Sequence, residues 1–157
     1  MMRKLIFIIL GFLVAGCQSN VSIVDTVQPD FENVTFDVVQ KQLVIEAELP
    51  DHVQILISEW FDQRVKNGGF DGDMKFIISN FKQDISSISD GKRVDASLSF
   101  KVLLNKPSLS QTKIIEGKAS SYGELTGDFS LAEFDTMIEN TQSDLILRLS
   151  SDLKSKI

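Results

Sequence analysis

Cys17 is the only cysteine and His52 the only histidine in the chain. Acid–base or nucleophilic catalysis needs such a group held by a partner, and no Ser-His-Asp set stands out among the scattered serines and aspartates. His52 is predicted in the first turn of a helix, where a histidine is typically a solvated surface residue. One cysteine and one histidine also cannot supply the ligand cluster that zinc needs. The sequence therefore predicts no enzyme, no cofactor and no metal site.

Two glycine-containing segments carry weaker chemical signals. Asp71 and Asp73 flank a glycine as in a calcium loop, but the glutamate that closes an EF-hand is replaced by Lys82, so a plain turn is the better interpretation. Gly123 and Gly127 have a spacing that suggests a phosphate loop, yet no lysine follows a GxxxxG pattern. We interpret this second segment as a loop that needs glycine conformations before a helix.

The surroundings of Cys17 indicate a chemical role outside catalysis. Arg3 and Lys4 precede a stretch without charged residues, residues 5–15, which ends in the small residues Ala15 and Gly16. A basic segment, a short apolar run and a small-residue site are typical of a secretory signal peptide. The run is too short to span a bilayer, which needs about 20 apolar residues. We therefore predict a signal peptide over residues 1–16.

Residues 13–17, LVAGC, resemble the lipobox of bacterial lipoproteins, with Val14 where leucine is commonest. The resemblance implies that Cys17 receives a diacylglycerol thioether, that cleavage falls before it, and that the new N-terminus is acylated, for example with palmitate. Gln18 rather than aspartate follows the cysteine, which implies an outer-membrane address facing the periplasm. Two or more buried acyl chains give stable anchoring, because each methylene contributes about 0.8 kcal/mol.

Composition limits what the remaining chain does. Without residues 1–16 it would have 141 residues, 14 of them basic and 22 acidic, which suits one domain. This acidity argues against nucleic-acid binding, which needs a basic surface, and against electrostatic docking to anionic lipid. No second cysteine is present for a disulfide. Polar residues 17–33, with Pro29, are predicted to form a lipidated tether, and residues 34–157 a single domain.

Hydrophobic periodicity predicts the elements of the domain. Apolar residues alternate over residues 34–38 and again, with opposite parity, over residues 43–49, so we expect a bulge or break at residues 39–42. A helix is predicted to begin at Asp51, its N-cap, and to stop at Gly68 in a left-handed conformation. Its stripe contains Val53, Ile57, Phe61 and Val65, widened by Leu56 and Trp60.

Three strands and a second helix follow. The strand that starts at Met74 changes parity at Phe81, which predicts an irregularity, whereas residues 93–105 alternate without error and predict one covered and one solvated face. A third strand contains Gly117 and Ala119, small residues that allow a helix to approach closely. Ser130 and Glu133 form a capping box for the last helix, whose apolar stripe is interrupted by Thr141 and Gln142.

The order β-α-β-β-β-α predicts an α+β two-layer domain, a mostly antiparallel four-stranded sheet with two helices on one face. This architecture resembles, coarsely, the lipoprotein partner of the lipopolysaccharide translocon and the auxiliary lipoproteins of lipid-handling ABC transporters. The resemblance implies a non-enzymatic accessory or assembly role in a cell-envelope complex, such as lipid or lipopolysaccharide transport. The expected partners are the membrane, through the anchor, and an envelope protein.

Two further hypotheses concern binding surfaces. Trp60 and Phe61 are adjacent and point about 100° apart on a helix, so one is expected in the core and the other at the edge. Core packing is the favoured interpretation of Trp60, and a partner surface at Trp60 is the alternative. The second hypothesis makes the domain a carrier of an apolar ligand, held between helices and sheet in a cavity lined by Phe76, Phe100 or Phe134.

Overall fold

The computed structural model describes residues 33–157, so the signal peptide, Cys17 and all of the tether but Asn33 lie outside the described range. The elements follow in the order β1 (Val34–Phe36), β2 (Gln40–Ile45), α1 (Asp51–Arg64), β3 (Val65–Asn67), β4 (Asp73–Ile88), β5 (Gly91–Lys106), β6 (Gln111–Thr126) and α2 (Leu131–Ser155), with a 3₁₀ turn at Pro107–Leu109 before β6.

The main sheet has the strand order β2-β4-β5-β6. β4, β5 and β6 are joined consecutively and pair antiparallel along almost their whole length. β2 pairs parallel with the first part of β4, because α1 intervenes in the chain between them. Two of the three pairings are antiparallel, so the predicted α+β class with a mostly antiparallel four-stranded sheet is confirmed. β1 and β3 add a small parallel sheet that the sequence did not predict, because the residues of β3 were assigned to the end of the first helix.

The core lies between one face of the main sheet and the two helices. Phe76 of β4 and Phe100 of β5 stack with their ring centroids 5.4 Å apart, and each is at most 1% exposed. They belong to one apolar cluster with Ile57 of α1 and Leu149 of α2. The alternation predicted for β5 is confirmed: Val94, Ala96, Leu98, Phe100 and Val102 are buried.

Both predicted irregularities occur in the strands. The first strand is interrupted between Phe36, the last residue of β1, and Gln40, the first of β2, slightly earlier than the predicted residues 39–42. In β4 the register shifts between Ile78 and Asn80, and this bulge returns Phe81 to the side of the sheet that faces the helices. A parity change in the sequence therefore marked a real interruption of the pleat in each case.

The ends of α1 differ from the prediction. Pro50, not Asp51, occupies the N-cap position, and no side chain caps the helix there. At the other end the helix stops at Arg64 and the chain continues directly into β3, so Gly68 makes no left-handed stop. The terminal carbonyl groups of α1 have a different partner: the ammonium of Lys41 donates to Phe61 O at 2.9 Å and to Val65 O at 2.6 Å.

Helix α2 begins as predicted and packs closely on β6. The Ser130 hydroxyl accepts a hydrogen bond from Glu133 N, and the Glu133 carboxylate accepts one from Ser130 N, which completes the capping box. A Cβ atom at Gly117 would overlap Asp152 of the helix and the ring of Phe100, so the expected close approach of a helix at this strand is confirmed.

The two polar residues that interrupt the α2 stripe lie inside the interface with the sheet. Thr141 and Gln142 are 3% and 4% exposed. The Ser121 hydroxyl donates to Thr141 O, and the Gln142 amide donates to Gln83 Oε1, each at 2.8 Å. Buried polar groups need such partners, because an unsatisfied one costs about 1–3 kcal/mol.

Candidate functional site

Trp60 lies in the core rather than at the surface. Its side chain is 2% exposed and its ring meets Phe76 edge-on at 5.5 Å between centroids. Phe61 is 3% exposed and also lies against Phe76, at 6.0 Å. Trp60 and Phe61 are both buried because α1 is covered by the sheet on one side and by α2 on another. The described structure therefore offers no partner surface at Trp60.

The residues considered for catalysis and metal binding are not brought together. His52 is exposed at the start of α1. Within residues 33–157 no group of three or more His, Cys, Asp or Glu residues could hold a metal ion. Asp71 instead accepts hydrogen bonds from the amide and hydroxyl of Ser108, and these bonds lower the pKa of its carboxyl. The interpretation of this segment as a turn agrees with Gly72, which has φ +85°.

Gly123 and Gly127 have different structural roles. Gly123 lies within β6, where a Cβ would overlap Thr141 of α2, so it serves helix packing and the loop interpretation is wrong for it. Gly127 follows the strand and has φ +77°, as expected for a turn before the helix.

The proposed ligand cavity between helices and sheet is filled by side chains. Phe76 and Phe100 stack on each other, while Phe134 stacks on Phe129 at 6.1 Å near the start of α2. The three rings therefore do not line a common space, and the tight packing argues against an apolar ligand held there.

A charged and aromatic group occupies the sheet face that the helices leave uncovered. Arg93 donates to both carboxylate oxygens of Asp95, at 2.8 and 2.7 Å, and to Glu124 Oε1 at 2.9 Å. Its guanidinium lies 4.5 Å from the ring centroid of Tyr122, which is 59% exposed. We call Arg93, Asp95, Tyr122 and Glu124 the Arg93 cluster.

The arrangement of the Arg93 cluster is held by several bonds at once. The bidentate contact and its charge lower the pKa of Asp95, and the two carboxylates raise the pKa of Arg93, so Asp95 and Arg93 both stay ionised across the physiological range. Arginine and tyrosine are enriched at the centres of protein interfaces, and a guanidinium fixed against a ring loses little side-chain entropy on binding. Sequence reasoning missed Tyr122, although its outward position could be read from the alternation of β6.

A second surface lies at the end of the domain where the described chain begins. An open crevice of about 350 Å³ is lined by Phe36, Val38, Leu104, Leu109 and Ile157, with Asp37, Lys106 and Lys113 among its polar residues. Lys106 pairs with Asp37 across it. We call the end formed by residues 33–41, 65–75, 103–113 and 153–157 the tether end.

One loop of the tether end presents an aromatic ring to solvent. Phe70 is 100% exposed, in a segment whose main chain is bonded on both sides: Gly69 N donates to Val38 O at 3.1 Å, and Val39 N donates to Gly72 O at 3.0 Å. Sequence reasoning overlooked Phe70, although a lone phenylalanine in a loop of glycines and aspartates is a readable signal.

Comparison with known proteins finds similar structures but no family to which the chain belongs. No family model and no curated protein matches the chain. A minor lipoprotein from Acinetobacter baumannii is similar in structure, with a TM-score of 0.44 and 11% identity over 76% of this chain and 92% of that one. The rare lipoprotein B from Shewanella oneidensis has a TM-score of 0.41 and 12% identity, over 74% and 97%.

A third structure, lipoprotein GNA1162 from Neisseria meningitidis, has a TM-score of 0.34 and 9% identity, over 71% of this chain and 99% of that one. These structural neighbours are lipoproteins by name. Likenesses of this size leave the function of the present chain to be argued from its own residues. Within residues 33–157 no helix is long and apolar enough to cross a membrane.

Proposed function

We propose that the protein is a lipid-anchored lipoprotein of the outer membrane, facing the periplasm, and a non-enzymatic accessory or assembly component of a cell-envelope complex. The observation that carries the proposal is the position of the only cysteine, Cys17, directly after Ala15, Gly16 and a charge-free apolar run. A pathway of lipid or lipopolysaccharide transport agrees with the coarse architecture.

The Arg93 cluster is the surface through which the domain would hold its envelope partner. It combines an exposed aromatic ring with charged groups already fixed in position, on a sheet face without a covering element in the described chain. The acyl chains would supply localisation, and this cluster would supply recognition. Because the cluster is ordered in advance, a partner would meet a surface of defined shape and charge.

The anchor is tested by mass spectrometry of the mature protein from the native membrane. The proposal expects an N-terminal Cys17 that carries a diacylglycerol thioether and an amide-linked acyl chain. The Cys17→Ser variant should remain uncut and should leave the outer-membrane fraction. An uncut wild-type chain with a free thiol would overturn the proposal.

The partner surface is tested by photo-crosslinking in intact cells. A photoreactive phenylalanine analogue replaces Tyr122, and the matched control replaces Ile55, which is 56% exposed on α1. We expect one defined protein adduct at position 122, its loss in the Arg93→Ala background, and no such adduct at position 55. Equal adducts at both positions, or an adduct that survives Arg93→Ala, would argue against the Arg93 cluster as the surface.

A further inference from the structure

Charge is distributed unevenly between the two ends of the domain. The far end, formed by the β4–β5 turn, the end of β6 and the start of α2 (residues 82–95 and 122–140), has three basic and eight acidic residues. The tether end has three acidic residues, Asp37, Asp71 and Asp73, and seven basic ones. The basic residues of the tether end are Lys41, Lys66, Lys75, Lys106, Lys113, Lys154 and Lys156.

Exposed apolar side chains lie at both ends of the domain, and those of the tether end are the ones with basic surroundings. Phe70 is fully exposed, Leu109 is 57% exposed and Val39 is 43% exposed. The bonds from Ser108 to Asp71 join the turn that carries Leu109 to the loop that carries Phe70. Exposed apolar groups rimmed by polar residues typically mark an interaction surface.

The main chain holds this apolar group in place. Gly68 N donates to Phe36 O at 2.9 Å, so the loop before Phe70 is tied to β1. A ring held outward on such a loop does not fold back onto the domain to bury itself. Its apolar area therefore stays in water unless a second body covers it.

The position of the tether indicates that the membrane is the surface that covers this apolar group. Residues 17–32 join the described chain at Asn33, next to β1, and β1 forms part of the tether end. An extended segment of 16 residues reaches at most about 55 Å, so an anchored Cys17 keeps this end close to the bilayer without fixing its orientation. Lysines around a small apolar group suit the boundary between anionic headgroups and acyl chains.

We propose that the tether end docks onto the surface of an anionic phospholipid bilayer, with Phe70 and Leu109 entering the headgroup region and the exposed lysines of the tether end, such as Lys66 and Lys113, at its rim. This inference rests on the proposed anchor at Cys17. It also revises the expectation that an acidic chain avoids anionic lipid, because the tether end itself has seven basic residues against three acidic ones. β5 would then hold the Arg93 cluster away from the membrane, about 40 Å from Asn105 at the tether end, given about 3.3 Å per residue.

The test uses the mature chain, purified from the native membrane in detergent and reconstituted with protein-free vesicles of phosphatidylethanolamine and phosphatidylglycerol. A nitroxide is attached through Phe70→Cys, with Leu131→Cys, 75% exposed at the far end, as the matched control. Acylated Cys17 takes up no label. We expect the label at position 70 to be accessible to oxygen and protected from a water-soluble nickel complex, and the label at position 131 to show the reverse. Vesicles without the anionic lipid should weaken the protection.

The outcomes separate the docking from the anchor. If the protein does not float with the vesicles, Cys17 carries no lipid and the proposed function itself fails. If the protein floats but position 70 is as accessible to the nickel complex as position 131, the anchor stands and the docking is wrong. Protection of position 70 that appears only after envelope proteins are added would assign the tether end to a protein partner and would also overturn the bilayer docking.

Discussion

Strand β4 buries its helix-facing side chains differently on the two sides of its bulge. Before the bulge Met74, Phe76 and Ile78 are at most 1% exposed, whereas after it Phe81 is half-buried and Ile85 is 52% exposed. β4 has 16 residues and extends about 53 Å, whereas the 14 residues of α1 span about 21 Å. Two helices therefore cover the half of the strand near the tether end, and α2 alone covers the far half.

The comparison shows that alternation within a strand does not by itself decide burial. The near half is apolar and closed, while the far half contains the polar contacts of Thr141 and Gln142 beneath α2. We infer that most of the stability resides in the near half. Beside the far half, the opposite and uncovered face of the sheet contains the Arg93 cluster, on β5 and β6, which is the proposed recognition surface.

The largest expected difference between the halves comes from truncation of one side chain in each. Phe76→Ala should lower the free energy of unfolding by about 3–5 kcal/mol, because it opens a cavity between α1 and the sheet. Ile85→Ala should change it by less than about 0.5 kcal/mol. Urea unfolding followed by circular dichroism measures both, and equal losses would contradict the unequal cover.

A second prediction uses the glycines at which α2 meets β6 in each half. Gly123→Ala should cost about 1–3 kcal/mol, because its Cβ overlaps Thr141. Thr141→Ala in the same chain should recover part of that loss. At Gly117 the equivalent rescue by Asp152→Ala should fail, since the added Cβ also meets the packed ring of Phe100. Double-mutant cycles from urea unfolding measure the two couplings.

A third change removes the cap of α1 in the near half. Lys41→Met should cost about 1–2 kcal/mol, because the last carbonyl groups of the helix lose their charged donor. Lys75→Met, on the exposed side of β4, is the matched control and should be close to neutral. The difference in thermal midpoint between the variants checks the prediction, and equal midpoints would argue that Lys41 is not the cap.

In the far half the matching change is at the start of α2. Ser130→Ala should cost about 1 kcal/mol, because the amide of Glu133 loses its acceptor. Ser151→Ala, at an exposed position later in the helix, serves as the control. Amide hydrogen exchange should speed up in the first turn of α2 and leave β4 near Phe76 unchanged. If amide exchange speeds up equally in α2 and in β4 near Phe76, the two halves of the domain unfold together.

The smallest effect is on the pH dependence of stability. Hydrogen bonds from Ser130 lower the pKa of Glu133, and bonds from Ser108 lower the pKa of Asp71. A carboxyl whose pKa is lower in the folded state stabilises that state above its unfolded pKa. This contribution is lost in acid, as the pH falls from the unfolded pKa through the lower folded pKa. Glu133→Gln should flatten the acid limb of the stability curve, and an unchanged limb would exclude Glu133 as a contributor.

Much of the fold was predictable because its signals are local. The capping box is read from Ser130 and Glu133, which are three residues apart, and the bulge in β4 from the parity change at Phe81. The ends of α1 were not predictable in the same way. Its last turn is capped by Lys41, which lies 20 residues from Phe61 in the chain. The residues near Gly68 therefore do not indicate where the helix ends.

The candidate functional features also differ in whether the sequence alone predicts them. The sequence around Cys17 predicts the anchor without help from the fold, since a signal peptide is read as a linear segment. The sequence favoured core packing for Trp60 but expected one of Trp60 and Phe61 at the edge; both are buried because α2, whose residues follow more than 70 positions later, also covers α1. The Arg93 cluster needed the pairing of β5 with β6, which places Tyr122 opposite Asp95.

The sequence by itself determined the types of the helices and main strands and the start of α2, and it contains the motif that predicts the lipid anchor, because those features depend on residues a few positions apart. Only the tertiary structure decided which apolar residues stay in water, which half of β4 is closed and how the charges separate between the two ends. Those properties depend on which elements pack together in the folded chain. Hydrophobic periodicity indicates the type of each element, but it does not indicate which elements pack together.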